Sequence, residues 1–216
     1  GYIKHSIEEE HHSIWIAQRE GRAKDGIDRT EPAIIKMLAM CQQKDLESFS
    51  DYINKLYIVP VSISYELDPC DGAKARELYE KAKHGHYKKA EHEDAQSISL
   101  GITGDKGHVH VSFGKPIAGE FENAEQVATA IDRQVLQNYV LHPSNFFAYK
   151  MLNGDYPEGV YSEQHKIFSI KGMERREQEF KDRINSLPEE HRPFALGIYA
   201  NSINQKTLSN KTADGC

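Results

Sequence analysis

Apolar and polar residues repeat along this chain with two periods, and the changes between them mark out its elements. Ile3 and Ile7 sit four apart within YIKHSIEEEHH (residues 2–12), a helical spacing with acids following. Ser13 to Ala17 reads as a short buried strand leading into a basic loop. Glu31 to Gln43 returns to helical spacing, with Ile34, Ile35, Leu38 and Ala39 on one side and Pro32 in the first turn. Leu56 to Tyr65 is apolar on both faces, as in a central strand of a covered sheet. Pro60 removes one ladder donor there and marks a strand end or bulge.

Further on, Asp71 to Lys83 reads as a charged helix, and His84 to Asp94 as a solvated loop. Ser97 to Ile102 and His108 to Phe113 alternate on either side of Gly104-Asp-Lys-Gly107, which predicts a half-buried β-hairpin. Asn123 to Tyr139 is the clearest helix, with Ala124, Val127, Ala128, Ile131 and Val135 on one face. From about Lys150 the texture changes. Gly154, Pro157 and Gly159 look like a linker, Met173 to Ser186 like a charged helix, and the rest is weakly patterned. The expected fold is α/β, a mixed sheet with helices on its faces plus a helical C-terminal extension, divided into residues 1–150 and 151–216.

Composition narrows this little. At 38% hydrophobic and 28% charged the chain has the make-up of a folded domain. A net charge of −6 argues against a general nucleic-acid binder, which needs a broad basic surface. Cys41, Cys70 and Cys216 form no Cys-x-x-Cys and no disulfide framework, which fits a reducing, cytoplasmic setting. No run of about eighteen apolar residues exists, so membrane contact is expected only as a peripheral one at the inner face. The chain opens Gly1-Tyr2-Ile3 within an amphipathic pattern, as if cut from something longer.

The chemistry-bearing stretch is Ile14 to Ile35. Arg19, Glu20, Gly21, Arg22, Lys24 and Arg29 lie just ahead of the helix that Pro32 opens. Guanidinium groups bind two phosphate oxygens at once, and a glycine and a helix N-terminus supply free backbone N–H groups nearby. A solvated, charged β–α loop would have the same composition. The histidines are scattered. His108 and His110 share one strand face, but two histidines without a third ligand are thin grounds for zinc, and no metal is expected.

The block around Arg22, followed by Val59-Pro60-Val61-Ser62-Ile63-Ser64-Tyr65, resembles the later motifs of the glycerophosphate and lysophospholipid acyltransferases. Members of that family share Glu-Gly-x-Arg-Ser-Arg after a strand. Read without a gap, Arg22 falls on the first arginine, Lys24 on the second, and Arg19 and Glu20 on Glu-Gly. A shift by one restores Glu20-Gly21 but needs a gap before Arg22. Val111-Ser-Phe-Gly-Lys-Pro-Ile117 looks like the closing strand and turn that follow these motifs, and Ile131 to Asn145 like a helix ending the domain. Asp132 and Arg133 read as surface ion-pair residues.

The resemblance implies an O-acyltransferase, active with glycerol-3-phosphate or 1-acylglycerol-3-phosphate as acceptor and acyl-CoA or acyl carrier protein as donor. Arg19, Glu20, Gly21, Arg22, Lys24, Val59 and Pro60 would bind substrate, with no tightly bound cofactor. The family's base is the histidine of a His-x-x-x-x-Asp pair, and no histidine here has an Asp five positions on. No catalytic residue is therefore assigned, and the chain alone is expected to be inactive. The alternative is a non-catalytic module that binds a phosphorylated ligand or a protein partner. A third idea is a different hydrolase or transferase built on His108 and His110.

Overall fold

A computed structural model of the chain describes residues 2–19, 23–43, 45–157 and 173–213. In order it contains α1 (Tyr2–Glu8), α2 (Pro32–Ala39), α3 (Phe49–Lys55), β1 (Val61–Tyr65), α4 (Asp71–His84), α5 (Glu93–Thr103) and β2 (Val109–Phe113). Then come α6 (Ala124–Asn138), α7 (Pro143–Asn153), α8 (Glu174–Asn185), a 3-10 turn (Glu189–His191) and α9 (Arg192–Ala213). The described residues are thus rich in helix, with one small two-stranded antiparallel sheet. None of their helices is long and apolar enough to cross a membrane.

The chain divides into two compact units. The first takes in residues 1–22, 28–62 and 112–138. Its core is the α6 face read from the sequence, Ala124, Val127, Ile131 and Val135, packed with Ile35 of α2, Tyr52 and Ile53 of α3, Leu56 and Ile117. Burial of those side chains drives the packing, at about 1.5–3 kcal/mol for each large one. The Asp132 carboxylate accepts from the backbone N–H (2.8 Å) and the hydroxyl (2.6 Å) of Thr30. It anchors the stretch before α2 and is not the surface ion-pair residue expected.

The second unit takes in residues 23–27, 63–111 and 139–216. Here α9 packs on α4 and α7, and Ala75, Phe147, Ala148, Phe180, Ile184, Ala195, Leu196, Tyr199 and Ala200 form the core. Gly85 (φ +76°) and Gly154 (φ +88°) end α4 and α7 in the left-handed region, where glycine carries no steric penalty.

In the sheet, Glu66 N–H donates to His108 O (2.8 Å) and Gly114 N–H to Pro60 O (2.8 Å). That antiparallel register sets Ser62 opposite Ser112 and Ser64 opposite His110. Ser62 and Ser64 point to the buried side, whereas Val109 and Val111 lie about half exposed on the other.

Several expectations are overturned. Ser13 to Ala17 is not a strand: no neighbour pairs with it among the described residues, and Trp15 is 66% exposed. Leu56 to Tyr65 is a strand only from Val61. The residues before it leave α3, whose first turn is capped by Ser48 Oγ accepting from Asp51 N–H (3.1 Å). Pro60 stands just before the strand, where its missing donor costs nothing. The proposed hairpin is absent as well. Ser97 to Ile102 lies inside α5, whose first turn carries Glu93 and Asp94 at the favourable end of the helix dipole, and β2 pairs with β1 instead. No larger mixed sheet is present among the described residues.

Candidate functional site

Glu20, Gly21 and Arg22 lie outside the described residues. Arg19 is half-buried and belongs to the first unit, where no hydrogen bond or ion pair involves it among the described residues. Val59 and Pro60 are in that unit too, Val59 40% exposed and Pro60 buried. Lys24 belongs to the second unit, and its ammonium donates to the Glu77 carboxylate of α4. Lys81 reaches the same oxygen at 2.8 Å. Burial alone would raise the Glu77 carboxyl, but the two lysines outweigh it and hold it below its usual range. Lys24 therefore neutralises a buried acid of its own unit.

The loop after Lys24 is tightly fitted. Gly26 has φ +73°, and a Cβ there would lie 2.0 Å from the Ile198 carbonyl oxygen of α9. Asn201 donates its side-chain amide to Asp25 O at 2.8 Å, and Ile27 N–H donates to Asp25 Oδ1 at 3.1 Å.

A second polar cluster forms in the second unit, just after β1. Glu66 follows β1 and lies 7% exposed. One carboxylate oxygen accepts from His108 N–H (3.0 Å) and from His108 Nδ1 (2.7 Å), and the other accepts from the Arg176 guanidinium of α8. Ser144 of α7 donates its hydroxyl to Glu66 O. Burial pushes the Glu66 carboxyl up, and the His108 hydrogen bonds with the Arg176 charge pull it down further, leaving it below the ordinary range.

Behind this pair lies His142, 2% exposed, its Nε2 3.1 Å from Ser64 Oγ. Burial, with a smaller push from His108 and His110, holds its imidazole below the ordinary histidine value, against the opposing pull of Ser64 and Glu66. The Ser64–His142 contact resembles a nucleophile–base pair, but Ser64 is 1% exposed and closed to substrate. Among the described residues no group of three or more His, Cys, Asp or Glu side chains is disposed to hold a metal ion.

Sequence reasoning singled out His108 and missed Glu66, Arg176, Ser144 and His142. Once β1 is known to pair with β2, the alternation Ser62, Ser64, Glu66 against His108, His110 puts the acid and the imidazole on one face. No sequence signal reveals Arg176, which arrives from a helix far along the chain. No protein-family model, curated protein or solved structure matches this chain.

Proposed function

We propose that this chain carries the phosphate-holding half of an O-acyltransferase. The enzyme would move an acyl group from a CoA or carrier-protein thioester to a hydroxyl of glycerol-3-phosphate or 1-acylglycerol-3-phosphate. Arg22, with Arg19 beside it, would neutralise the acceptor's phosphate, and Val59-Pro60 would line the neighbouring strand. The work would be cytoplasmic, with peripheral contact at the inner membrane face, because acceptor and product partition into lipid. In the full enzyme the fold would extend to a larger mixed sheet like that of the glycerol-3-phosphate acyltransferases.

One observation carries the reading beyond the motifs themselves. The carbonyls of Ile58 and Pro60 accept from the N–H groups of Ile117 (2.7 Å) and Gly114 (2.8 Å). The Pro-centred block and the Gly-Lys-Pro-Ile segment, distant in sequence, thus lie side by side, as a motif strand and its closing strand would. The second reading is a module that binds the phosphate without transferring the acyl group, and a His-x-x-x-x-Asp pair ahead of Gly1 would favour the enzyme over it.

Titration of the chain with glycerol-3-phosphate tests the shared step. The Arg22→Ala variant should bind about tenfold or more weakly, since one lost charge-assisted contact is worth about 1.5–3 kcal/mol. Equal affinity in both proteins, or no binding to either, would remove the proposal. Acyl transfer to glycerol-3-phosphate by the full-length protein would decide between enzyme and module.

A further inference from the structure

The Glu66–His108 pair has the build of a proton-transfer centre. Side-chain exposure is 69% for His108 but only 10% for Glu66, so the acid is sunk and the imidazole faces outward. A carboxylate can only accept, so His108 Nδ1 carries a proton in that 2.7 Å contact, and in the neutral form of the ring Nε2 is the nitrogen that keeps its lone pair. Glu66 is fixed from four directions: the His108 backbone and ring, the Arg176 guanidinium, and Ser144 on its own carbonyl. The turn is shaped around the carboxylate as well. Gly107 has φ +58°, and a Cβ there would fall 2.8 Å from Glu66 Oε2. A surface ion pair needs none of this, because two mobile side chains meet in water for little gain. An imidazole held by a buried acid is the arrangement that fixes tautomer and direction for general-base work.

We propose that His108, oriented by Glu66, is a general base that activates water against uncharged carboxylic esters. Nε2 takes a proton from the water as its oxygen bonds to the acyl carbon. The tetrahedral intermediate then expels the alcohol by breaking the ester C–O bond, and the imidazolium returns the proton to the departing oxygen. Acid and alcohol are the products, and no oxidant or metal enters the balance. Among the described residues, the cations beside the pair in sequence or by contact are already committed, which favours an uncharged substrate over a phosphate ester. Arg176 is taken by Glu66, and Lys106 Nζ donates to the carbonyls of Ile102 (3.2 Å) and Gly104 (3.0 Å). Glu66 acts as a positioning residue, and no residue of the arginine loop takes part.

The test is steady-state hydrolysis of 4-nitrophenyl acetate by the 216-residue chain. Multiple turnovers are expected, reduced about 100-fold or more in His108→Gln and unchanged in His12→Gln, an exposed histidine early in the chain. Glu66→Gln should lower kcat about tenfold or more with KM unaltered, and Glu66→Asp should recover part of the loss. His108→Gln keeps a side-chain N–H donor for Glu66, and circular dichroism checks that each variant is folded. No turnover above buffer, or turnover that survives His108→Gln, overturns the proposal and leaves the glycerol-3-phosphate titration untouched.

Discussion

Tyr199 shows how much a single hydroxyl can hold together. Its sequence surroundings mark it only as a packing residue, yet in the second unit its OH donates to Asp71 Oδ2 (2.7 Å) and accepts from Asp68 N–H (3.0 Å). Arg183 donates Nε to the same Asp71 oxygen (2.7 Å) and a terminal nitrogen to Asp68 O (2.8 Å). The ring meets Phe180 edge-on at 5.1 Å. Burial pushes the phenol far above its usual value, with the Asp71 charge adding to it, so it stays protonated and remains a donor. Tyr199→Phe keeps the packing but strips one partner from a buried carboxylate and one from a part-buried N–H. The expected loss is about 1–3 kcal/mol in urea unfolding; an unchanged midpoint would show that Arg183 and the Gly72 N–H satisfy Asp71 without it.

At the level of elements, the sequence revealed those with a long, one-sided apolar pattern or firm punctuation. α6 appears with its whole core face, because five apolar residues at helical spacing have no other way to be buried together. α4 and α8 match within a residue or so, helped by acids in their first turns and a basic last turn. What stayed hidden depends on tertiary choice. Ile98, Leu100 and Ile102 alternate like a strand, but β1 gave its edge to β2, and the segment coiled into α5 with those residues left exposed. α9 falls in the expected helical extension, but its bounds stay hidden because small and polar residues interrupt its pattern; the helix is held by its fit to α4 and α7. That fit is close enough to test. Gly26→Ala adds a methyl against the Ile198 carbonyl at a positive φ, so it should destabilise the chain by more than about 1 kcal/mol. A thermal midpoint equal to that of the parent would mean the loop gives way without strain.

For the whole molecule, the titratable groups predict two separate losses of stability on acidification. His142 stays neutral in the folded state below the ordinary histidine value of 6.5, while the unfolded chain takes up a proton. Stability should therefore fall as pH drops through about 6.5. The carboxyls of Glu66, Glu77 and Glu177 are depressed in the folded state, Glu177 to about 2 chiefly through its hydrogen bond from Lys181. Their contribution is complete above the unfolded value of 4.5 and disappears as pH falls below it. Urea midpoints followed by circular dichroism from pH 8 to pH 3 should decline in two stages, and a level profile down to pH 5 would contradict the first. Trp15, the chain's single tryptophan, sits in the unpaired stretch before Arg19 with two thirds of its surface in solvent. Its fluorescence is that of a wetted indole whether or not the helices stand. The indole is blind to the collapse of either core, and it lies in sequence beside the arginines, where an arriving anion would change its surroundings.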